Sequence, residues 1–333
     1  MTDKNDVATD KNHIDYALLE QLVDQHPDLS EQEILKRYQQ LSQQATIALL
    51  SEQLDDKAQI LLASALPAVK NPQNTHSQAQ YKIARRIDSG GQSHVYLAHR
   101  NDGTYKKTVV IKLLNQTIEG ATQKQQLMAE MQILADLRHP NIVTISDAGI
   151  DEQQRPWLML DYIDGDHIDH YIESNPQSFD GLMNLCLKVA RALRYIHQQQ
   201  VVHLDIKPAN VMVEIIDNQA EPIIIDFGIA MTQNVQQINS PYVFATPAFA
   251  APEQLNSTAV KADHRSDIFA FGKLVEHLNQ INIQQPAESD KTTPLALTTL
   301  IDRCTAQSPN ERFDDMQQVI DAMEKMLWPS KPV

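Results

Sequence analysis

Cysteine is almost missing from this chain: Cys186 and Cys304 are the only two among 333 residues. Two cysteines cannot build a disulfide framework or a cysteine-based metal set, and both fall in apolar helical patterns that read as buried free thiols. Basic residues are scarce too. Lys and Arg number 28 against 43 Asp and Glu, a formal charge of −15, so no cationic surplus exists to neutralise a nucleic-acid backbone. No run approaches the ~18 consecutive apolar residues of a membrane span. The polar start Met1-Thr2-Asp3-Lys4-Asn5-Asp6 lacks the apolar core of a signal peptide, and the expected location is cytoplasmic. Hydrophobic residues at 42% and charged residues at 21% are ordinary for a globular protein. The length accommodates one large domain and a small extra one.

What the chain does have is concentrated in two short runs. His203-Leu204-Asp205-Ile206-Lys207-Pro208-Ala209-Asn210 is followed by Asp226-Phe227-Gly228. Together they supply a carboxylate, an amine, a carboxamide and a second carboxylate, the groups needed to move a phosphoryl group from Mg-ATP to a hydroxyl. Such a transfer asks for positioning and charge neutralisation rather than covalent chemistry. Asp205 is placed to orient the attacking hydroxyl and take its proton, and Lys207 to neutralise the moving phosphate. Asn210 and Asp226 are oxygen ligands suited to a hard cation such as Mg²⁺.

The spacing H-x-D-x-K-x-x-N then D-F-G resembles the catalytic and metal loops of eukaryotic-like (Hanks-type) serine/threonine protein kinases of bacterial type. An ordered series extends the resemblance over roughly residues 81 to 327. Val109-Val110-Ile111-Lys112 matches the strand whose lysine grips the α- and β-phosphates, and Glu130, ahead of His139-Pro140-Asn141, matches the helix glutamate that pairs with it. Ala251-Pro252-Glu253 closes the activation segment, Asp267-Ile268-Phe269-Ala270-Phe271-Gly272 opens a central helix, and Arg312 stands where the family pairs an arginine with Glu253. The resemblance implies an α+β fold with two lobes, a small β-rich one over a larger helical one. It implies ATP and Mg²⁺ as cofactors and a protein hydroxyl as acceptor. Ile87, Gly90, Gly91, Ser93, Val95, Val110, Lys112 and Met212 would surround the nucleotide, with the backbone of Asp161 and Ile163 at the adenine edge and Leu160 at the gatekeeper position. Thr246 matches the threonine that bonds the catalytic aspartate and lysine and marks Ser/Thr specificity.

Three departures qualify the match. The segment Asp88-Ser89-Gly90-Gly91-Gln92-Ser93-His94-Val95 keeps only the middle glycine, Gly90, of the usual phosphate loop, with Gly91 adding local freedom. Leu204 replaces the arginine that often precedes the catalytic aspartate, so a phosphorylated activation segment would lack one Arg partner. After Gly272 the family's Gly-x-x-Pro-Phe turn is absent, and the helix that often docks substrates reads as shortened or lost.

Residues 1–76 form a separate region. Ile14, Leu18, Leu19, Leu22 and Val23 fall at helical spacing, Ser30 and Glu33 make a capping-box signal, and Asn71-Pro72 reads as linker. The expected organisation is a helical extension over 1–76, either regulatory or a docking and dimerisation module, and a kinase domain over 77–333. The latter divides into an N-lobe at 81–160, a hinge at 161–165 and a C-lobe at 166–333. Two rival functions share parts of this pattern. A pseudokinase or nucleotide-sensing scaffold fits the eroded glycine loop but not the full catalytic set. A small-molecule kinase of the aminoglycoside-phosphotransferase type fits the H-x-D-x-x-x-x-N core but generally lacks a counterpart of Lys207 and the Ala-Pro-Glu closure.

Overall fold

The computed structural model describes residues 81–89, 93–115, 117–118, 120–151, 153–226, 246–255, 262–284 and 293–328. The helices expected over 13–68, the glycines at 90 and 91 and the hydroxyl residues Thr232, Ser240 and Tyr242, which could accept a phosphate but are not expected to need one, lie outside these residues. The chain divides into two units between Pro67 and Ala68, and all described residues belong to the second. Within it the fold is α+β and two-lobed.

The first lobe is an antiparallel sheet of β1 (Tyr81–Ser89), β2 (Ser93–Arg100), β3 (Thr108–Leu114), β4 (Ile145–Ile150) and β5 (Pro156–Asp161), in the order β1-β2-β3-β5-β4. Asn101-Asp102-Gly103 turns the chain between β2 and β3, with Gly103 at φ 75°, a conformation open to glycine at little cost. Successive side chains of a strand point to opposite faces. Lys112, Val110, Leu158 and Leu160 therefore share the face that meets the helical lobe, while Val109, Ile111, Leu113, Trp157 and Met159 occupy the other and are also buried. Apolar residues on both faces give β3 and β5 their continuous hydrophobic runs. Helix α1 (Ala121–Asp136) buries Leu127, Glu130, Met131 and Leu134, one stripe at helical spacing. Its span matches the helix expected at 121–137.

The helical lobe holds α2 (Ile168–Ser174), α3 (Phe179–Gln198), α4 (Pro252–Leu255), α5 (His264–Ile283), α6 (Leu295–Cys304) and α7 (Met316–Leu327). Helix starts are fixed by side-chain caps. Ser178 accepts from Gly181 N at 3.1 Å, Asp263 from Arg265 N at 2.8 Å and Asp315 from Gln318 N at 2.9 Å. The main core runs without a break from α1 and β5 through α3 and α5 to α7, with Cys186 and Cys304 inside it. A second sheet, β6 (Gly165–His167), β7 (Val211–Ile216) and β8 (Gln219–Ile224), carries the site loops. Gly165 is required in β6, because a Cβ there would lie 2.1 Å from Val213 O. The lobes are stitched at β8, where Val143 N donates to Ile224 O at 2.9 Å and Ile224 N to Asn141 O at 3.0 Å.

One expectation is refined. The sequence suggests strands at 211–214 and 222–225; the hairpin instead runs to Ile216 and resumes at Gln219. Asp217 and Asn218 turn it with φ of 50° and 62°. Both central residues of a two-residue turn need positive φ, and Asp and Asn tolerate it better than other non-glycine residues. No glycine marks the turn, so it reads as a longer loop. The docking helix read as shortened or lost falls between α5, which ends at Ile283, and α6, which begins at Leu295; residues 285–292 lie outside the described residues.

Candidate active site

Asp205 sits at the centre of the site, and four groups hold its carboxylate. Lys207 Nζ donates to Oδ2 at 2.7 Å and Asn210 Nδ2 to the same oxygen at 3.0 Å. The Thr246 hydroxyl and backbone N–H donate to Oδ1 at 3.2 and 3.3 Å. Lys207 Nζ also donates to Thr246 Oγ1 at 2.8 Å, closing a ring of hydrogen bonds. The expected grouping of Asp205, Lys207, Asn210 and Thr246 is thus formed, although Thr246 lies 41 residues from Asp205 in the chain. Their geometry orients the carboxylate and sets an amine beside it, an arrangement suited to a base acting on a hydroxyl.

A buried aspartate beneath the loop fixes its backbone. Asp267 is fully buried on α5 and accepts from His203 N at 2.8 Å, Leu204 N at 2.7 Å and His197 Nε2 at 2.8 Å. Burial pushes its pKa up, but the His197 bond, neighbouring histidines and the backbone donors outweigh this and hold it below the usual value. His203 is also buried; loss of solvent lowers its pKa, so the neutral ring accepts from Asp205 N at 3.3 Å. Leu204 adopts φ 64°, a strained conformation for a residue with a branched side chain. Its carbonyl accepts from Gln254 Nε2 at 2.8 Å. Sequence reasoning missed both His197 and Gln254. A polar residue directly after Ala-Pro-Glu, in a stretch that the fold buries, is the one signal available for the latter.

Across the cleft, Lys112 lies opposite Val95 on β2 and Leu158 on β5. Its ammonium pairs with Asp226, which follows β8. This differs from the expected Lys112–Glu130 pair. Glu130 instead lines a small apolar cavity with Leu114, Leu127, Met131, Leu134, Pro156 and Leu158, and burial raises its carboxyl pKa to about 7. One ammonium compensates the carboxylate it touches, and here that carboxylate belongs to Asp226. Of the residues expected around the nucleotide on the Lys112 side, Val95 and Val110 are half-buried, Ile87 is exposed, and Ser93 opens β2. Met212 is half-buried on β7. The Asp161 carboxylate accepts from Ser146 at 2.7 Å and pairs with Lys107 at 2.8 Å, so its side chain is committed away from the cleft. Ile163 packs at the edge of the core.

The end of the activation segment is anchored by a buried pair. Arg312 donates to both Glu253 oxygens, at 2.7 and 2.8 Å, and to the carbonyls of Arg265, Ala306 and Gln307. Ser266 donates to Glu253 at 2.7 Å. This is the pair expected from the sequence.

A two-lobed α+β fold with a lysine strand, a helix glutamate, an ordered loop around Asp205 and a buried Glu253–Arg312 anchor has the architecture of the protein-kinase fold class. The protein kinase domain matches residues 81–328, and the chain belongs to that family. It is similar to serine/threonine-protein kinase PknJ of Mycobacterium tuberculosis, 32% identical over 276 residues that cover 75% of this chain and 46% of that protein. It is also similar to serine/threonine-protein kinase PrkC of Bacillus subtilis, 28% identical over 262 residues covering 72% of this chain and 39% of that one. A probable serine/threonine-protein kinase of Clostridium acetobutylicum is 27% identical over 270 residues, with 74% and 40% covered. The matches span less than half the length of these relatives. Members of the family generally use ATP and Mg²⁺. Among the described residues no helix is long and apolar enough to cross a membrane.

Proposed function

We propose that the protein is an active serine/threonine protein kinase that transfers the γ-phosphate of Mg-ATP to a Ser or Thr hydroxyl of a protein. The observation carrying this reading is the ring of bonds joining Asp205, Lys207, Asn210 and Thr246. It presents a base and a cation together; Lys207 and the Ala-Pro-Glu closure favour a protein acceptor over a small molecule, and Thr246 favours a Ser/Thr hydroxyl. Asp205 accepts the hydroxyl proton, and Lys207 stabilises charge on the transferring phosphoryl group.

The residues present fit Mg²⁺. Among the described residues no cluster of three or more His, Cys, Asp or Glu forms a metal cage. Asn210 and Asp226 are nevertheless brought together, because Ile225 N donates to Asn210 O at 3.0 Å. Asn210 uses its Nδ2 on Asp205, which leaves an amide oxygen, and Asp226 supplies a carboxylate; both are donors for a hard cation that completes its shell with phosphates and water. When bound, the cation neutralises phosphate charge. Lys112 holds Asp226 in the cleft, and Val95, Val110 and Met212 supply the apolar walls for adenine. Glu130 is assigned the role of second partner to Lys112 in the working state. Residues 1–76 serve as a regulatory or docking region, with a partner protein or a second copy as its target, and the site of action is the cytoplasm.

Asp205→Asn and Asp226→Asn test the assignment directly. Each should lower phosphoryl transfer to a generic protein acceptor by at least ~10²-fold, with unchanged circular dichroism. Asp226→Asn should also weaken Mg²⁺-dependent nucleotide binding, whereas Asp205→Asn should spare it. Wild-type turnover in either variant would remove that residue from the mechanism. Nucleotide binding without transfer in the wild type would favour the scaffold reading.

A further inference from the structure

Among the described residues, the end of the activation segment and the helix that follows it touch the catalytic loop at two places. One is Thr246, bonded to the Asp205 carboxylate; the other is Gln254, bonded to the backbone one residue earlier. Gln254 lies on α4 and is 4% exposed. Its Oε1 accepts from Ala251 N at 3.0 Å, and its Nε2 donates to Leu204 O at 2.8 Å. Both ends of the carboxamide are therefore used, one as acceptor and one as donor. Leucine can do neither, an ionised glutamate cannot donate, and asparagine is one methylene too short for the span.

The bond to Leu204 falls at the strained point of the loop. Strained backbone persists only where the surroundings over-determine it. Asp267 grips Leu204 from below through its N–H at 2.7 Å, and Gln254 grips it from the segment side through its carbonyl. The side chain of Leu204 carries no charge or hydrogen-bonding group, so a polar link between segment and loop at this position must run through the backbone. We propose that Gln254 is a positioning residue for phosphoryl transfer: it locks the Leu204 carbonyl to the end of the activation segment and so sets the direction of the Asp205 carboxylate. This rests on the assignment of Asp205 as the base. It gives the chain a neutral, permanent coupling of segment to catalytic loop that requires no phosphate.

The test uses the full chain with Gln254→Leu and Gln254→Glu, measuring kcat, KM for ATP and KM for a protein acceptor from pH 6 to 8, with thermal melts alongside. Gln254→Leu should lower kcat about tenfold or more, while KM for ATP stays within about twofold, because the nucleotide lies against Lys112, Val95 and Val110. Gln254→Glu should be equally impaired at pH 8. On acidification its buried carboxyl takes up a proton, donates to Leu204 O and accepts from Ala251 N as the amide does. Its activity relative to wild type should then rise at least about threefold between pH 8 and 6. The nearby Glu253–Arg312 and Asp267–His197 pairs are common to all variants and cancel in that ratio. A merely structural Gln254 would give a ratio independent of pH, and that result overturns the proposal even if Gln254→Leu fails to fold. Unchanged kcat in both variants at pH 8 overturns it as well. Should Asp205→Asn keep wild-type activity, the base assignment fails first, and the two failures are told apart.

Discussion

Charge pairing in the cleft is decided residue by residue. The sequence pattern assigns Glu130 to Lys112 and Asp226 to the metal, yet Lys112 is paired with Asp226, leaving Glu130 beside an apolar cavity with its pKa raised to about 7. A raised carboxyl pKa means that the folded protein holds its proton more tightly than the unfolded chain. Stability from this group is therefore full below pH ~4.5 and falls as the pH climbs from there to about 7. Glu130→Gln should remove that slope and raise stability at pH 8 by roughly 2–3 kcal/mol, read from urea unfolding at pH 5 and pH 8. The same substitution should lower kcat, because the amide cannot serve as an anionic partner to Lys112. An Asp205-type loss of turnover without any gain in stability would place Glu130 outside the cavity described. The residue types of this cleft are legible in the sequence from their spacing; which carboxylate the lysine takes is not, since it depends on angstrom-scale placement of α1 and of the residue following β8.

At the level of elements, α4 is a four-residue helix that owes its place to other elements rather than to its own propensity. Glu253 is tied to Arg312 beyond α6 and to Ser266 on α5, and Gln254 to the catalytic loop. For Glu253, burial acts to raise the pKa, and the Arg312 and Ser266 bonds more than reverse it, so the value ends below the usual one. The associated stability is present above pH ~4.5 and is lost as the pH drops through the lowered value. Arg312→Met should cost about 3–5 kcal/mol because it strands a buried carboxylate. Adding Glu253→Gln should recover part of that loss in a double-mutant cycle at pH 7; additive losses would show that the two side chains do not interact. The two lobes and this anchor follow from motif order and the family resemblance it carries. The β7–β8 turn does not, because Asp217-Asn218 carries no glycine, and α4 does not, because its stability is tertiary.

For the molecule as a whole, the question is what keeps the activation segment in register. The Thr246 bonds, the Gln254 clamp and the Glu253–Arg312 pair act together, and Leu204 removes one site at which a loop phosphate could be received. Enzyme treated with phosphatase should phosphorylate a protein acceptor from the first turnover, without a lag. Thr232→Ala, Ser240→Ala and Tyr242→Phe should retain activity, whereas Thr246→Ala should lose at least ~10²-fold. A lag that prior incubation with ATP abolishes, with loss of activity in one of the first three variants, would show that the segment is switched by phosphate after all.

Cys186 on α3 and Cys304 on α6 are 1% and 0% exposed, and burial pushes both thiols up to about 12. A thiol in that state is silent toward disulfide exchange and alkylating reagents, which attack through the thiolate. These are the two thiols of the chain, and both sit in the core of the helical lobe. The protein thus carries its own unfolding clock: the rate at which a thiol reagent labels it at a given temperature measures how often that core opens, with no probe to be introduced and no surface cysteine to be removed.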